Sequence, residues 1–224
     1  MKNRLIFLLE FLITIPIVYY AYQKVPLLNK GGLVMIPLSY ALLFVIFIFI
    51  ERILFLKKTS DNIKELQKSI EETNLSNSTD NILAKCNAYP SPLAVVIKTI
   101  VKYKEKTLSE LKTMAEETVG LELPTLSASL DFLALLIRIA PLLGLLGTVT
   151  GLLHTFEQMV KLSNNISASA FAAGISEALL TTIFGLSIAI PAAIAHQYLN
   201  HKVKGLIVKI EKAAIYSINK LKNI

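Results

Sequence analysis

Residues 138–151 read R-I-A-P-L-L-G-L-L-G-T-V-T-G, a run apolar enough to cross a bilayer yet punctuated by small and polar side chains. Gly144, Gly147 and Gly151 stand three and four apart, so they share one face of a helix, and Thr148 falls beside them. A second run, residues 168–198, carries Gly174, Glu177, Ala178, Thr181, Thr182 and Gly185. In lipid, apolar side chains alone give helices no reason to associate, and faces of small residues are what let them approach closely. A carboxylate at membrane depth is costly and points to function. Together the two runs describe packed membrane helices lining a polar path.

The composition agrees. Of the 224 residues, 54% are hydrophobic, and the mean hydropathy of +0.57 is too high for an ordinary soluble domain. The formal charge is +7, but the lysines flank apolar spans instead of forming a basic domain with exposed aromatics. That pattern follows membrane topology and excludes nucleic acid as the partner. The single Cys86 rules out an intrachain disulfide and reads as a free thiol on a reducing side. No metal-ligand spacing, phosphate loop or nucleophile with its base occurs, so neither a cofactor nor an enzymatic activity is expected.

Outward from the two runs, the chain divides into five stretches. Residues 1–30 hold an apolar segment (5–22) and a connector with Pro26. The segment is short for a span, and Tyr19 and Tyr20 stand where a signal-peptide cut wants small residues. It is read as an uncleaved hydrophobic helix that either crosses the membrane or lies in the interface. Residues 31–58 form the first core span, opened by Gly31 and Gly32 and closed by Glu51, Arg52, Lys57 and Lys58. The lysines mark the cytoplasmic side. Residues 59–129 are polar with helical periodicity, Ile63, Leu66 and Ile70 sharing a face. The apolar positions Val96, Ile100, Tyr103 and Leu111 suggest one long helix over 93–117, with Pro124 starting the next. Residues 130–200 supply two spans joined by a short outside turn, and residues 201–224 a basic cytoplasmic helix with Ile207, Ile210, Ala214 and Ile218 on one stripe. The fold class is all-α and multi-pass: three core transmembrane helices with cytoplasmic extensions, plus the extra N-terminal helix.

The motifs A-P-L-L-G-L-L-G-T-V-x-G (140–151) and G-I-S-E-A-L-L-T-T-x-x-G-L (174–186) resemble the paired core motifs of the ExbB/TolQ proton-channel family, relatives of MotA. The resemblance extends in order and spacing over about residues 31–204 and is most like ExbB. It implies a homopentamer in the bacterial inner membrane whose last two hydrophobic helices surround a pore. The pore would hold two copies of an ExbD/TolR-like single-span partner among membrane lipids. Proton flow would energise a TonB-like or TolA-like protein. It also implies that Thr148 and Thr182 line the pore, that Glu177 is the family's intramembrane glutamate, and that the titrating carboxylate belongs to the partner.

A helical threonine can bond its own backbone carbonyl and still offer its hydroxyl to water or a carboxyl group. Thr181, four residues after Glu177, would face the same wet cavity. Pro141 and the glycines at 144, 147, 151, 174 and 185 are read as packing positions, with the glycine faces having no use inside a single chain. Arg138 departs from the family pattern; it either snorkels to headgroups or forms a charged ring at the inner mouth, paired with Asp131 or the tail. His154 and His196 read as interfacial anchors in preference to proton relays. Alternatives remain within the family, a TolQ-like role in envelope maintenance or a MotA-like stator, and outside it, a passive membrane scaffold.

Overall fold

The structure is a computed structural model that describes Lys24 and residues 31–72, 79–161 and 168–222. The N-terminal hydrophobic segment lies outside the described residues. Those described are helical, with no strand among them: α1 Met35–Glu71, α2 Thr79–Ala88, α3 Pro92–Lys102, α4 Leu108–Leu126, α5 Leu130–Lys161 and α6 Ala168–Leu221. Three of these, α1, α5 and α6, contain stretches long and apolar enough to cross a membrane. At 1.5 Å per residue the 54 residues of α6 extend about 80 Å, far more than the ~30 Å of a bilayer's hydrocarbon. The basic tail therefore continues the span as one helix instead of forming a separate element. Likewise α1 runs past Lys58 without a break.

The chain forms two compact units. Among the described residues, the first comprises Lys24 and 31–49 together with 131–161 and 168–196. Met35, Leu38, Ala41, Val45 and Ile48 of α1 are buried at spacings of three and four, the stripe a helix turns toward its neighbours. Phe44 meets Phe132 edge-to-face with centroids 5.8 Å apart. The seam between α5 and α6 is built from small residues. Ala140, Gly144, Gly147, Gly151 and Thr155 run down one helix against Gly185, Thr181, Ala178 and Gly174 running up the other. A Cβ on Gly144 would lie 2.8 Å from the Thr181 carbonyl oxygen, and one on Gly151 would lie 3.0 Å from the Ala178 Cβ. Gly147 makes room for the Thr181 side chain, and Gly174 for that of Thr155. These glycines therefore serve contact within one chain, correcting the reading that they have no use there. A helical wheel shows that a small face exists but not which neighbour fills it.

Large apolar side chains point away from that seam. Leu142 is 62% exposed, Ile183 59% and Ile194 68% within the single chain. Pro141 and Pro191 sit inside α5 and α6, leaving the carbonyls of Ile137 and Ser187 without their usual i+4 donors. Membrane helices tolerate such interruptions where neighbours or water can supply the bond.

Among the described residues, the second unit comprises 50–72, 79–130 and 197–222. Leu56, Ile63, Leu66 and Ile70 of α1 are buried, as are Leu199, Val203, Leu206, Ile210, Ala214 and Ile218 of α6. Also buried in this unit are Ile82 of α2, the apolar face of α3 (Leu93, Val96, Ile97, Ile100) and Leu111 of α4. Lys220 Nζ donates to the carbonyl oxygens of Ile70 at 2.9 Å and Glu71 at 2.6 Å, capping the C-terminus of α1, where helical carbonyls lack partners. Arg52 is buried beside Glu51, with Nε 2.5 Å from its carboxylate, and stacks 4.8 Å over the Phe55 ring.

Two boundaries differ from the sequence-based expectation. The single long helix over 93–117 is two helices, broken at 103–107. Thr107 is an N-cap: its hydroxyl accepts from the Glu110 amide at 3.3 Å while the Glu110 carboxylate accepts from the Thr107 amide at 2.9 Å. This reciprocal capping box starts a new helix despite a continuous apolar period. Pro124 ends a helix instead of starting one. It lies in the last turn of α4, and the chain turns through Ser127 and Ser129, the latter at φ 65°, before α5 begins.

Candidate functional site

Midway along the small-residue seam the two motif threonines meet. Thr148 Oγ1 and Thr182 Oγ1 are 2.7 Å apart. Each also lies within hydrogen-bonding distance of the Gly144 carbonyl oxygen, at 3.1 and 3.0 Å respectively. The glycine face makes this possible: α5 and α6 approach closely enough for short side chains to bridge them. Two hydroxyls carry two protons, so one threonine donates to the other, and the second donates to Gly144. The first oxygen then keeps both lone pairs open, and reversing the chain of donors exchanges the roles. Both side chains are half-buried, so the free lone pairs can accept from a water or a protonated carboxyl group.

Thr181 behaves differently. It is 1% exposed, fills the notch over Gly147, and lies 2.7 Å from the Ala178 carbonyl oxygen and 3.0 Å from that of Gly144. Within this chain its hydroxyl is used in the seam. Glu177, one turn earlier, is exposed and lines a cavity of about 690 Å³ with His154, Gln158 and Thr150, a cavity to which Thr181 does not contribute. Residues 31–34, just before α1, form another wall, and a Cβ added at Gly32, which sits at φ 66°, would lie 3.1 Å from Glu177 Oε1. The φ alone favours glycine at 32. His154 Nε2 is 3.0 Å from the Gln158 amide nitrogen, so the imidazole is held by its own helix.

Arg138 is exposed, and no ion pair joins it to Asp131 among the described residues. Nor does any group of three or more His, Cys, Asp or Glu side chains among them form a site able to hold a metal ion. One seam residue escaped the reading of the motifs. Thr155 is 6% exposed, donates to Gly151 O at 2.8 Å and fills the notch left by Gly174. The signal was present: Gly144–Thr148 and Gly151–Thr155 repeat the same G-x-x-x-T spacing one heptad apart.

A profile of the MotA/TolQ/ExbB proton channel family matches residues 87–212, more than half of the chain and all of both motifs. The chain belongs to that family. It is similar to an ExbB-like protein of Synechocystis sp., 31% identical over 161 residues, covering 71% of this chain and 77% of the relative. It is also similar to an ExbB homologue of Methanothermobacter thermautotrophicus, 26% identical over 197 residues, covering 88% and 70%. A shorter match joins it to the Tol-Pal system protein TolQ of Haemophilus influenzae, 35% identical over 85 residues, 38% of this chain and 37% of that one. Within the MotA/TolQ/ExbB family the chain is of the ExbB/TolQ type and most like ExbB. It is a multi-pass membrane protein of a proton-channel family whose members serve transport.

Proposed function

We propose that this chain is the ring-forming subunit of a proton-driven motor in the inner membrane, assembling as a pentamer whose α5 and α6 helices surround a pore. The pore holds the transmembrane helices of an ExbD/TolR-like partner, in two copies. Proton movement through it energises a TonB-like protein. The observation that carries this reading is the Thr148–Thr182 pair at 2.7 Å, with open lone pairs at half-buried positions. Such a pair can hold a water or carboxyl proton without itself ionising, since a threonine hydroxyl both donates and accepts. Glu177 and its polar cavity form the approach to the pair, and Arg138 supplies positive charge at the inner mouth. Thr181 supports the path indirectly by holding the seam at Gly147 and Gly144.

The driving force suffices for work: one charge crossing 100 mV releases about 2.3 kcal/mol. Because the glycines pack α5 against α6 inside each chain, the subunit contacts fall to the exposed apolar faces around Leu142, Ile183 and Ile194. The test is Thr148→Val combined with Thr182→Val, which keeps shape and removes both hydroxyls. Interhelical hydrogen bonds in membranes contribute about 0.6 kcal/mol each, so the fold survives. The pentamer should still appear in native mass spectrometry while energised transport is lost. A double variant that retains transport would make the chain a passive scaffold.

A further inference from the structure

A second cavity, of about 470 Å³, lies in the second unit between α1 and α6. Lys57 and Lys64 of α1 line it together with Lys202 and Lys209 of α6, and among the described residues Asp61 is the only carboxylate in its wall. Four ammonium groups against one carboxylate leave three net positive charges, before His201 is counted. Asp61 stands 3.9 Å from Lys64 in an exposed pair, and Lys202 sits 5.3 Å over the Tyr198 ring. No ion pair among the described residues engages Lys57, Lys202 or Lys209.

The order of residues along the cavity is the same on both helices. On α1, Ile53 and Leu56 precede Lys57 and then Lys64; on α6, Tyr198 and Leu199 precede Lys202 and then Lys209. Both helices leave their apolar spans at this point, so the cavity has an apolar end and a basic end. Gly205 leaves space in its wall, since a Cβ there would meet nothing within 4 Å. We propose that this cavity binds an anionic phospholipid, its phosphate among the four lysines and the start of its acyl chain against Ile53 and Tyr198. Basic pockets between membrane helices on the cytoplasmic side hold anionic headgroups in this way. A soluble phosphate would match the basic end but leave the apolar end unused. The site is distinct from the threonine pair and independent of the proton path.

The chain contains no tryptophan, so Tyr198→Trp supplies a single fluorophore in the cavity wall. The full-length variant, reconstituted in nanodiscs, is titrated with phosphatidylglycerol or phosphatidylcholine carrying brominated tails, which quench tryptophan on contact. Phosphatidylglycerol should quench at several-fold lower mole fraction. Lys57→Gln and Lys202→Gln should each reduce that preference by about fivefold. Lys112→Gln, on α4 outside the cavity, should leave it unchanged, and so should excess inorganic phosphate. Equal quenching by the two lipids would overturn the proposal, as would an equal effect of Lys112→Gln, which would indicate only general surface charge. Loss of the preference with inorganic phosphate would reassign the cavity to a soluble anion and equally overturn it.

Discussion

Two glycine-to-alanine changes in this chain should have opposite signs. At Gly185 an added Cβ would lie 2.5 Å from the Ala140 carbonyl oxygen and 3.2 Å from the Gly144 Cα. Both neighbours are backbone, so no flexible side chain can give way. Restoring ordinary contact near 3.4 Å requires α5 and α6 to separate by about 0.9 Å. Added to the 2.7 Å between Thr148 Oγ1 and Thr182 Oγ1, that opens the pair to about 3.6 Å, beyond the range of an O–H···O bond. Overpacking of this kind costs about 1–3 kcal/mol, against up to about 1 kcal/mol gained by removing glycine from a helix interior. Gly185→Ala should therefore destabilise by about 1 kcal/mol and impair function. At Gly120 in α4 nothing lies within 4 Å of the added atom, so only the propensity gain remains and Gly120→Ala should stabilise by up to about 1 kcal/mol. Circular dichroism during titration with sodium dodecyl sulfate in mixed micelles reads both. If Gly185→Ala stabilises as much as Gly120→Ala does, the close seam and the threonine geometry that depends on it are wrong.

Other outcomes follow from the second unit. The Thr107 amide, Lys106 and the Thr107 hydroxyl hold Glu110 down to a pKa of about 2, against an ordinary 4.5. Since the folded-state value is the lower one, this capping contribution is complete above about pH 4.5 and is lost as pH falls toward 2. Protection of the amides in the first turn of α4, measured relative to their intrinsic exchange rates, should fall over that window in the native chain and not in Glu110→Gln. Cys86 is buried, and desolvation raises its thiol pKa despite the nearby Lys98. A thiol reagent at neutral pH should therefore label it only on unfolding, and complete labelling of the folded protein on mixing would show that α2 is not packed as described.

The large features were legible because membranes impose simple rules. Three long apolar runs, lysines at their ends and two small-residue motifs sufficed for an all-α multi-pass protein and for the family. What escaped was local competition and pairing. The Thr107–Glu110 box interrupts a helix whose apolar period runs on through Tyr103 and Leu111, so periodicity alone misled. Pro124 reads as a first-turn proline, its favoured place, whereas it occupies the last turn of α4. Thr181 and Glu177 share a helical face by spacing, yet one is buried over Gly147 and the other borders a cavity beside Gly32. Spacing orders residues around one helix, but the neighbouring helix decides which are covered.

Proton flux into liposomes reports where the titrating proton resides. This chain reconstituted alone should conduct few protons, because a threonine hydroxyl can donate and accept a proton but does not ionise. Adding the single-span partner with its own carboxylate should restore flux, and Thr148→Val with Thr182→Val should remove it again. If liposomes holding only this chain instead conduct at the rate of the full complex and lose that flux in Glu177→Gln, the proton path is complete within this subunit and the titrating group is its own.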